Sequence, residues 1–201
     1  KEMAHRRDMN IAMRKENLLG INQFPNFNEI INKDLADTVF AACDKTEAEA
    51  VVETLKPYRG ASAFEALRYK TDQFAKTNGR PLAFMLTIGN LAMRKARAQF
   101  ACNFFSVAGF EVADNNGFET VEAGLAAARA AKASIVVLCS SDDEYVTLAP
   151  DLAALIKEEI LVVAGNPACR SELEAAGVKN FIHVRSNLLE ELAQYQSQII
   201  R

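Results

Sequence analysis

The apolar positions change their period once along the chain, near Arg80. Before it, helical spacings are broken by turn formers; after it, short apolar runs alternate with helical stretches. Leu82 to Ile88 is a continuous apolar run of strand length, and Gly89-Asn90 supplies residue types that tolerate a sharp strand-to-helix turn. Met93, Ala96, Phe100, Phe104 and Val107 then recur three and four apart, which predicts a helix over Leu91 to Ala108 with Gly109 as its stop. The alternation continues with strand Phe110 to Ala113, helix Thr120 to Lys132, strand Ser134 to Cys139, helix Tyr145 to Glu159, strand Ile160 to Ala164, helix Ala168 to Ala176, strand Asn180 to Val184 and helix Leu188 to Ile200. Such βα units predict an α/β architecture, a flavodoxin-like five-stranded parallel sheet of order 2-1-3-4-5 with helices on both faces.

The region before Arg80 predicts helices and extended chain. Met3 to Lys15 is a charged stretch that finishes a helix, and Glu16 to Phe27, with its asparagines and Pro25, lacks helical period and reads as an extended linker. Asn28 to Cys43 is a weak helical pattern. Thr46-Glu47-Ala48-Glu49 is a capping box opening a helix that Pro57 ends, and Ser62-Ala63-Phe64-Glu65 is a second one. On the helix that the second box starts, Phe64, Leu67, Thr71 and Phe74 share a face, and Lys76, Asn78, Gly79 and Pro81 close it. The expected division is a helical remnant over 1–15, a linker with helices over 16–79 and an α/β domain over 80–201. Because the chain opens at Lys1 inside a charged helical stretch, we expect a piece of a longer polypeptide whose N-terminal domain is absent.

Composition adds exclusions. Half of the 201 residues are hydrophobic and 24% are charged, as in an ordinary globular protein, and the net charge of −3 predicts no general attraction to nucleic acid or to an anionic membrane. No run reaches the roughly 18 apolar residues of a membrane span and no signal-peptide pattern opens the chain, so a cytoplasmic setting is expected. Cys43, Cys102, Cys139 and Cys169 stand far apart in mostly apolar surroundings, as reduced buried thiols do. With only His5 and His183, no clustered zinc site is expected.

In the predicted strand order the switch point lies between strands one and three, so a ligand would meet Gly89 to Met93, Ser140 to Glu144 and Gly165-Asn166-Pro167. Gly89-Asn90 is neither a G-x-G-x-x-G fingerprint nor a Walker loop. Ser140-Ser141-Asp142-Asp143-Glu144 reads as a cap on the next helix or as a metal site, and its three acids would repel a phosphate-bearing ligand. A phosphoacceptor receiver shares the architecture. It needs acids after strand one and a lysine after strand five, where this chain has Ile88-Gly89-Asn90 and Val184-Arg185-Ser186. Arg94, Lys95 and Arg97 form a basic cluster, a solvated face or a protein contact. His183 ends the last strand as a buried, hydrogen-bonded histidine, and no Ser/His/Asp or Cys/His set assembles.

Three stretches carry a resemblance. Gly20-Ile21-Asn22 with Phe24 beyond follows a basic helical segment; Tyr58-Arg59-Gly60-Ala61-Ser62-Ala63-Phe64-Glu65-Ala66-Leu67-Arg68 contains F-E-x-L-R; and Arg97-Ala98-Gln99-Phe100-Ala101-Cys102-Asn103-Phe104-Phe105 leads to Gly109-Phe110-Glu111-Val112. Together they resemble the C-terminal part of the methylmalonyl-CoA mutase family, and within it the small, non-catalytic subunits. The resemblance implies the exit from a TIM barrel over residues 1–15, then a linker helix, then a cobalamin-binding-like domain.

In the family's catalytic subunits an Asp-x-His-x-x-Gly motif after strand one binds cobalamin, with the histidine on cobalt. Counting back from Gly109 puts Ala92, Arg94 and Arg97 at those positions. A guanidinium stays protonated and offers no lone pair to cobalt, and Arg97 adds bulk where the family has glycine. The loop after strand three has become Ser140, Ser141 and Asp142, and the paired glycines after strand four have become Gly165 and Asn166. The resemblance therefore implies a vestigial cobalamin cleft lined by Gly89, Asn90, Ala92, Arg94, Arg97, Ser140, Ser141, Asp142, Gly165 and Asn166, with no catalytic residue, no metal and no cofactor of its own. It implies a heterodimer with the large catalytic subunit, which carries adenosylcobalamin and interconverts methylmalonyl-CoA and succinyl-CoA. The expected contact surfaces are the linker helix around Phe64 to Phe74 and the basic cluster. Two alternatives stay open: a regulatory small-molecule site with its mouth at Gly89, Asn90, Ser140, Ser141, Asp142 and Asn166, and cobalamin bound without a histidine ligand.

Overall fold

The computed structural model describes residues 2–30 and 59–200. The expected helix over Asn28 to Cys43 from residue 31 onward, the capping box at Thr46, Cys43 and Tyr58 lie outside the described residues. Helices α1 (Glu2–Ala12) and α2 (Ser62–Asn78) precede β1 (Leu82–Thr87), α3 (Leu91–Ser106), β2 (Glu111–Ala113), α4 (Val121–Ala130), β3 (Ile135–Cys139), α5 (Tyr145–Leu155), β4 (Ile160–Ala164), α6 (Arg170–Ala175), β5 (Asn180–Ile182) and α7 (Leu188–Ile199). The strands form one parallel sheet in the order β2-β1-β3-β4-β5. β1 and β3 are aligned from Ala83 opposite Ile135 to Thr87 opposite Cys139, which brings their carboxyl ends level.

The alternation of side chains along each strand divides the core in two. Ala83, Met85, Ile135, Val137, Val162 and Ile182 face α3 and α7, while Phe84, Leu86, Val136, Leu138 and Val163 face α4, α5 and α6. Continuous apolar runs are what a strand buried on both faces requires. The first face also receives Ile11 of α1 and Phe64 and Leu67 of α2. At its centre Phe105 is fully buried, its ring 5.4 Å from Phe104, 6.3 Å from Phe110 and 5.5 Å from Tyr195 between centroids. Gln196 of α7 is buried too and donates to the Leu67 carbonyl (2.6 Å) and to Thr71 Oγ1 (2.8 Å) of α2.

Several expectations are corrected. Ser62 is not a cap: Ala61 holds that position in a helical conformation without a side-chain bond, because the turn has already begun with Ser62 N–H on the Arg59 carbonyl, and Glu65 pairs with Arg59. The buried face of α3 is Ala98, Ala101, Cys102, Phe104 and Phe105, while Met93 and Ala96 are exposed, since the first two turns run past the end of the sheet. α5 stops at Leu155 instead of Glu159. The Glu159 carboxylate accepts from the N–H groups of Lys157 (3.1 Å) and Glu158 (3.3 Å), a turn that a continuing helix could not make. β5 stops at Ile182, leaving Val184 exposed. The face of α2 carrying Phe64 and Leu67 packs into this chain's own core and is not free for a partner.

α2 also ties down the segment before it. The buried Arg68 guanidinium donates to the carbonyls of Asn26 (2.6 Å), Glu29 (2.9 Å) and Ser106 (3.4 Å). Arg80, paired with Asp72 at 2.6 Å, donates to the Gly109 carbonyl. Both arginines press on Gly109, where a Cβ would lie 2.9 Å from Arg80 and 3.1 Å from Arg68, and its φ of +74° suits glycine. The residue that stops α3 is therefore also the floor on which this region docks.

Candidate functional site

β1 leads into α3 on one face of the sheet and β3 leads into α5 on the other, so the turns after β1 and β3 part and leave a crevice at their carboxyl ends. The chain fills this crevice with its own side chains. Gly89 turns with φ +76°, and Asn90 caps α3 by accepting from the N–H groups of Ala92 and Met93, both at 3.1 Å. The Asn90 N–H points across the crevice to both oxygens of Glu144, each at 3.1 Å. On the other side Ser141 gives that carboxylate its N–H (3.1 Å) and its hydroxyl (2.7 Å). Ser140 Oγ lies within reach of the Glu144 carboxylate and 2.9 Å from the Ile88 carbonyl; with one proton it serves one of them at a time. The carboxylate sits so close to Gly89 that a Cβ there would collide with it.

Beneath Glu144, Tyr145 is fully buried, donates to the Ala164 carbonyl (2.8 Å) and accepts from Ser140 N–H (3.1 Å), tying the end of β3 to that of β4. Burial pushes its phenol well above the usual range. Arg97 reaches across from α3 to Asp142 at 2.8 Å and lies over Gly165. Both partners are partly exposed, so the pair contributes on the order of 0–1 kcal/mol and mainly fixes where the guanidinium lies.

Of the ten cleft positions expected from the sequence, Gly89, Asn90, Ser140 and Ser141 gather around Glu144, and Arg97, Asp142 and Gly165 stand together beside Tyr145. Arg94 turns away toward β2, donating to the carbonyls of Gly89 (3.1 Å) and Asn116 (2.9 Å). Asn166 is engaged by Arg170, and Ala92 is exposed. The basic cluster is therefore not one face: of its three members Lys95 alone lies open to solvent, Arg94 and Arg97 being spent on loop carbonyls and on Asp142. The run Ser140 to Glu144 does not cap α5 with a side chain; its last member serves the turn after β1 instead. Sequence reasoning placed Glu144 in an acidic run without a partner. The spacing of two serines three and four residues before a glutamate was the available signal, since it lets the hydroxyls reach the carboxylate.

These hydrogen bonds hold the Glu144 carboxyl down to about 2, Ser140 and Ser141 contributing most, against a desolvation that acts the other way. A carboxyl depressed in the folded state adds stability that is complete above its ordinary value and lost as pH falls through the folded one. Glu144→Gln is therefore expected to narrow its stability deficit against the unchanged protein as pH falls from about 4.5 toward 2, in urea titrations at several pH values. Glu159, also held at about 2 by Arg129, and Glu191, raised by burial, titrate in both proteins and cancel in the difference.

His183 is half-buried; its Nδ1 accepts from Arg185 N–H at 3.2 Å, and burial with the nearby Arg170, Arg185 and Arg14 lowers its pKa. Arg14, missed in the sequence, lies 5.1 Å from the Phe100 ring centroid and donates to the His183 carbonyl. Cys102 and Cys139 are buried free thiols and Cys169 a half-buried one. Among the described residues no three His, Cys, Asp or Glu side chains gather as a metal site, and no helix is long and apolar enough to cross a membrane.

No family model matches the chain. The methylmalonyl-CoA mutase small subunit of Porphyromonas gingivalis is 50% identical over 196 residues, 96% of this chain. By sequence, the chain belongs to the family of methylmalonyl-CoA mutase small subunits. A probable small subunit of the same mutase from Mycobacterium tuberculosis is 29% identical over 95% of the chain, and the small subunit of Streptomyces virginiae is 30% identical over 73%. The chain spans 31% of the length of the Porphyromonas protein and 30% of the mycobacterial one. A solved structure, that of a cobalamin-binding protein from Desulfitobacterium hafniense DCB-2, covers 70% of the chain at 15% identity and a TM-score of 0.46, too slight a likeness to carry argument.

Proposed function

We propose that this chain serves methylmalonyl-CoA mutase as a non-catalytic domain of its small subunit, without cobalamin of its own, that helps to order the large subunit in which the cofactor and the substrate are held. The observation that carries the reading is the crevice between β1 and β3, closed by Glu144 from within. The residues present do not fit cobalamin. Arg94, at the position of the family's histidine, has no lone pair and is spent on two carbonyls, and Arg97 lies across Gly165. A cofactor entering here would have to break the Arg97–Asp142 pair and leave the Glu144 carboxylate without its donors. Leu91, Met93 and Val146, exposed beside the crevice, favour contact with a protein surface over a solvated pole.

An absorbance titration of the intact small subunit with adenosylcobalamin is expected to show no stoichiometric spectral change at micromolar concentrations. A saturable change at one equivalent would overturn the cofactor-free reading. The partner role is tested separately by preparing the large subunit with and without the small one. It fails if the large subunit alone folds, stays soluble and turns over equally well.

A further inference from the structure

Asn-Gly occurs twice in the chain, at Asn78-Gly79 and Asn116-Gly117. The pair is prone to self-modification, because glycine has no side chain to shield its backbone nitrogen from the neighbouring amide carbon. The structure treats the two pairs differently. Asn78 is the last residue of α2; Gly79 N–H donates to the Ala75 carbonyl (3.2 Å), and the Asn78 amide donates to the Phe74 carbonyl (3.2 Å) and to Thr77 Oγ1 (2.8 Å). Bringing the Gly79 nitrogen onto that amide means unwinding the end of a helix and breaking all of these bonds. Asn116 stands exposed in the loop between β2 and α4, and its side-chain amide has no hydrogen bond among the described residues. A single bond, from Gly117 N–H to Asn115 Oδ1 at 3.0 Å, restrains the nitrogen. The Asn116 carbonyl accepts from the Arg94 guanidinium at 2.9 Å, and that guanidinium lies so close over Gly117 that a Cβ there would be 2.6 Å from its carbon.

We propose that Asn116-Gly117 is a self-modifying site, at which the asparagine amide is lost through a succinimide and Arg94 directs the product to isoaspartate. The Gly117 nitrogen gives up its proton to solvent and bonds to Asn116 Cγ, and the side-chain amide nitrogen takes up a proton and leaves as ammonia. Water then opens the ring at either of its two carbonyls. Addition at the Asn116 backbone carbon breaks that carbon's bond to the Gly117 nitrogen; the chain thereafter runs through Cγ, and the former backbone carbonyl becomes a free carboxylate. That carbonyl is the one Arg94 holds. A charged donor stabilises the oxyanion that forms as water adds there, and pairs with the carboxylate that results. No co-reactant beyond water is needed. The product puts a new negative charge and an additional backbone carbon into the loop whose Phe118 N–H is bonded to the Thr87 carbonyl (2.8 Å) at the end of β1. The proposal is independent of what the subunit does for the mutase.

The test incubates the intact small subunit in mildly alkaline buffer, folded and, separately, unfolded in guanidinium chloride. Samples are followed by peptide mapping with mass spectrometry, aspartyl and isoaspartyl peptides being resolved by chromatography. In the folded protein Asn116 is expected to convert about tenfold faster than Asn78, the factor that one or two additional exposed hydrogen bonds supply. In the unfolded chain the two rates are expected to converge. The isoaspartyl share at residue 116 is expected to be higher in the folded protein than in the unfolded chain, and to fall in folded Arg94→Met. Conversion of Asn78 as fast as Asn116 in the folded protein would overturn the site, and so would an Asn116 that stays intact when folded and converts only when unfolded. An isoaspartyl share no higher folded than unfolded, or unchanged in Arg94→Met, would overturn the part given to Arg94. Should Arg94→Met fail to fold, the comparison of folded with unfolded chain in the unchanged protein decides that part.

Discussion

Phe105→Ala is expected to lower the stability of the chain by about 4 kcal/mol, the loss typical of a phenylalanine removed from a closed core. The ring has no exposed surface and meets Phe104, Phe110 and Tyr195, so its removal strips partners from α3, from the residue before β2 and from α7 together. Three rings fixed by their own backbones cannot close the gap, and their edge and stacking contacts add about 0.5–1.5 kcal/mol per pair beyond the area they bury. Phe105→Leu, which keeps most of the volume, is expected to cost about 1.5 kcal/mol. Urea titrations of the three proteins check the ranking, and a loss below about 2 kcal/mol for the alanine variant would mean that α3 and α7 can move together to fill the space.

Arg68→Met is expected to cost about 2–3 kcal/mol and to do so selectively. Methionine keeps the aliphatic contact with Gly109 but withdraws the donors that hold the carbonyls of Asn26, Glu29 and Ser106. Hydrogen bonds from a charged donor contribute roughly 1.5–3 kcal/mol, while the carbonyls of the exposed residues Asn26 and Glu29 regain water, which limits the loss. Arg80 still reaches the Glu29 carbonyl at 3.4 Å and keeps a weakened hold. Amide hydrogen exchange should accelerate over residues 21–30 well before it does over β3, whereas uniform acceleration would show that Arg68 supports the whole core instead of one segment.

The architecture was legible because parallel strands covered on both faces leave unbroken apolar runs, and Leu82 to Leu86 and Ile135 to Leu138 are such runs. The order of the strands is the one that flavodoxin-like doubly wound sheets share; right-handed crossovers alone allow other orders and decide only which face each helix covers. What failed was the reading of faces near element ends. Met93 and Ala96 keep the helical spacing of Phe100 and Phe104, yet they lie past the edge of the sheet, and spacing carries no record of where a neighbour stops. Ser62 likewise has the residues of a capping box, but the turn begins earlier at Arg59. The crevice was legible as a place and not as a set of bonds. Glu144 meets Asn90 only because β1 and β3 end level, a matter of register between strands that one sequence does not print.

The two hydrogen bonds of Gln196 join residues 129 and 125 positions apart in the chain, the last helix to the one that precedes the sheet. An amide buried with both of its N–H groups committed to α2 makes the fraying of α7 costly, because the Leu67 carbonyl and the Thr71 hydroxyl, already joined to each other, would each lose a buried donor in the same event. The two helices are thereby a single cooperative element. Whatever steadies α2 from outside, a neighbouring domain or a partner subunit, is felt as slower local opening at the opposite end of the polypeptide.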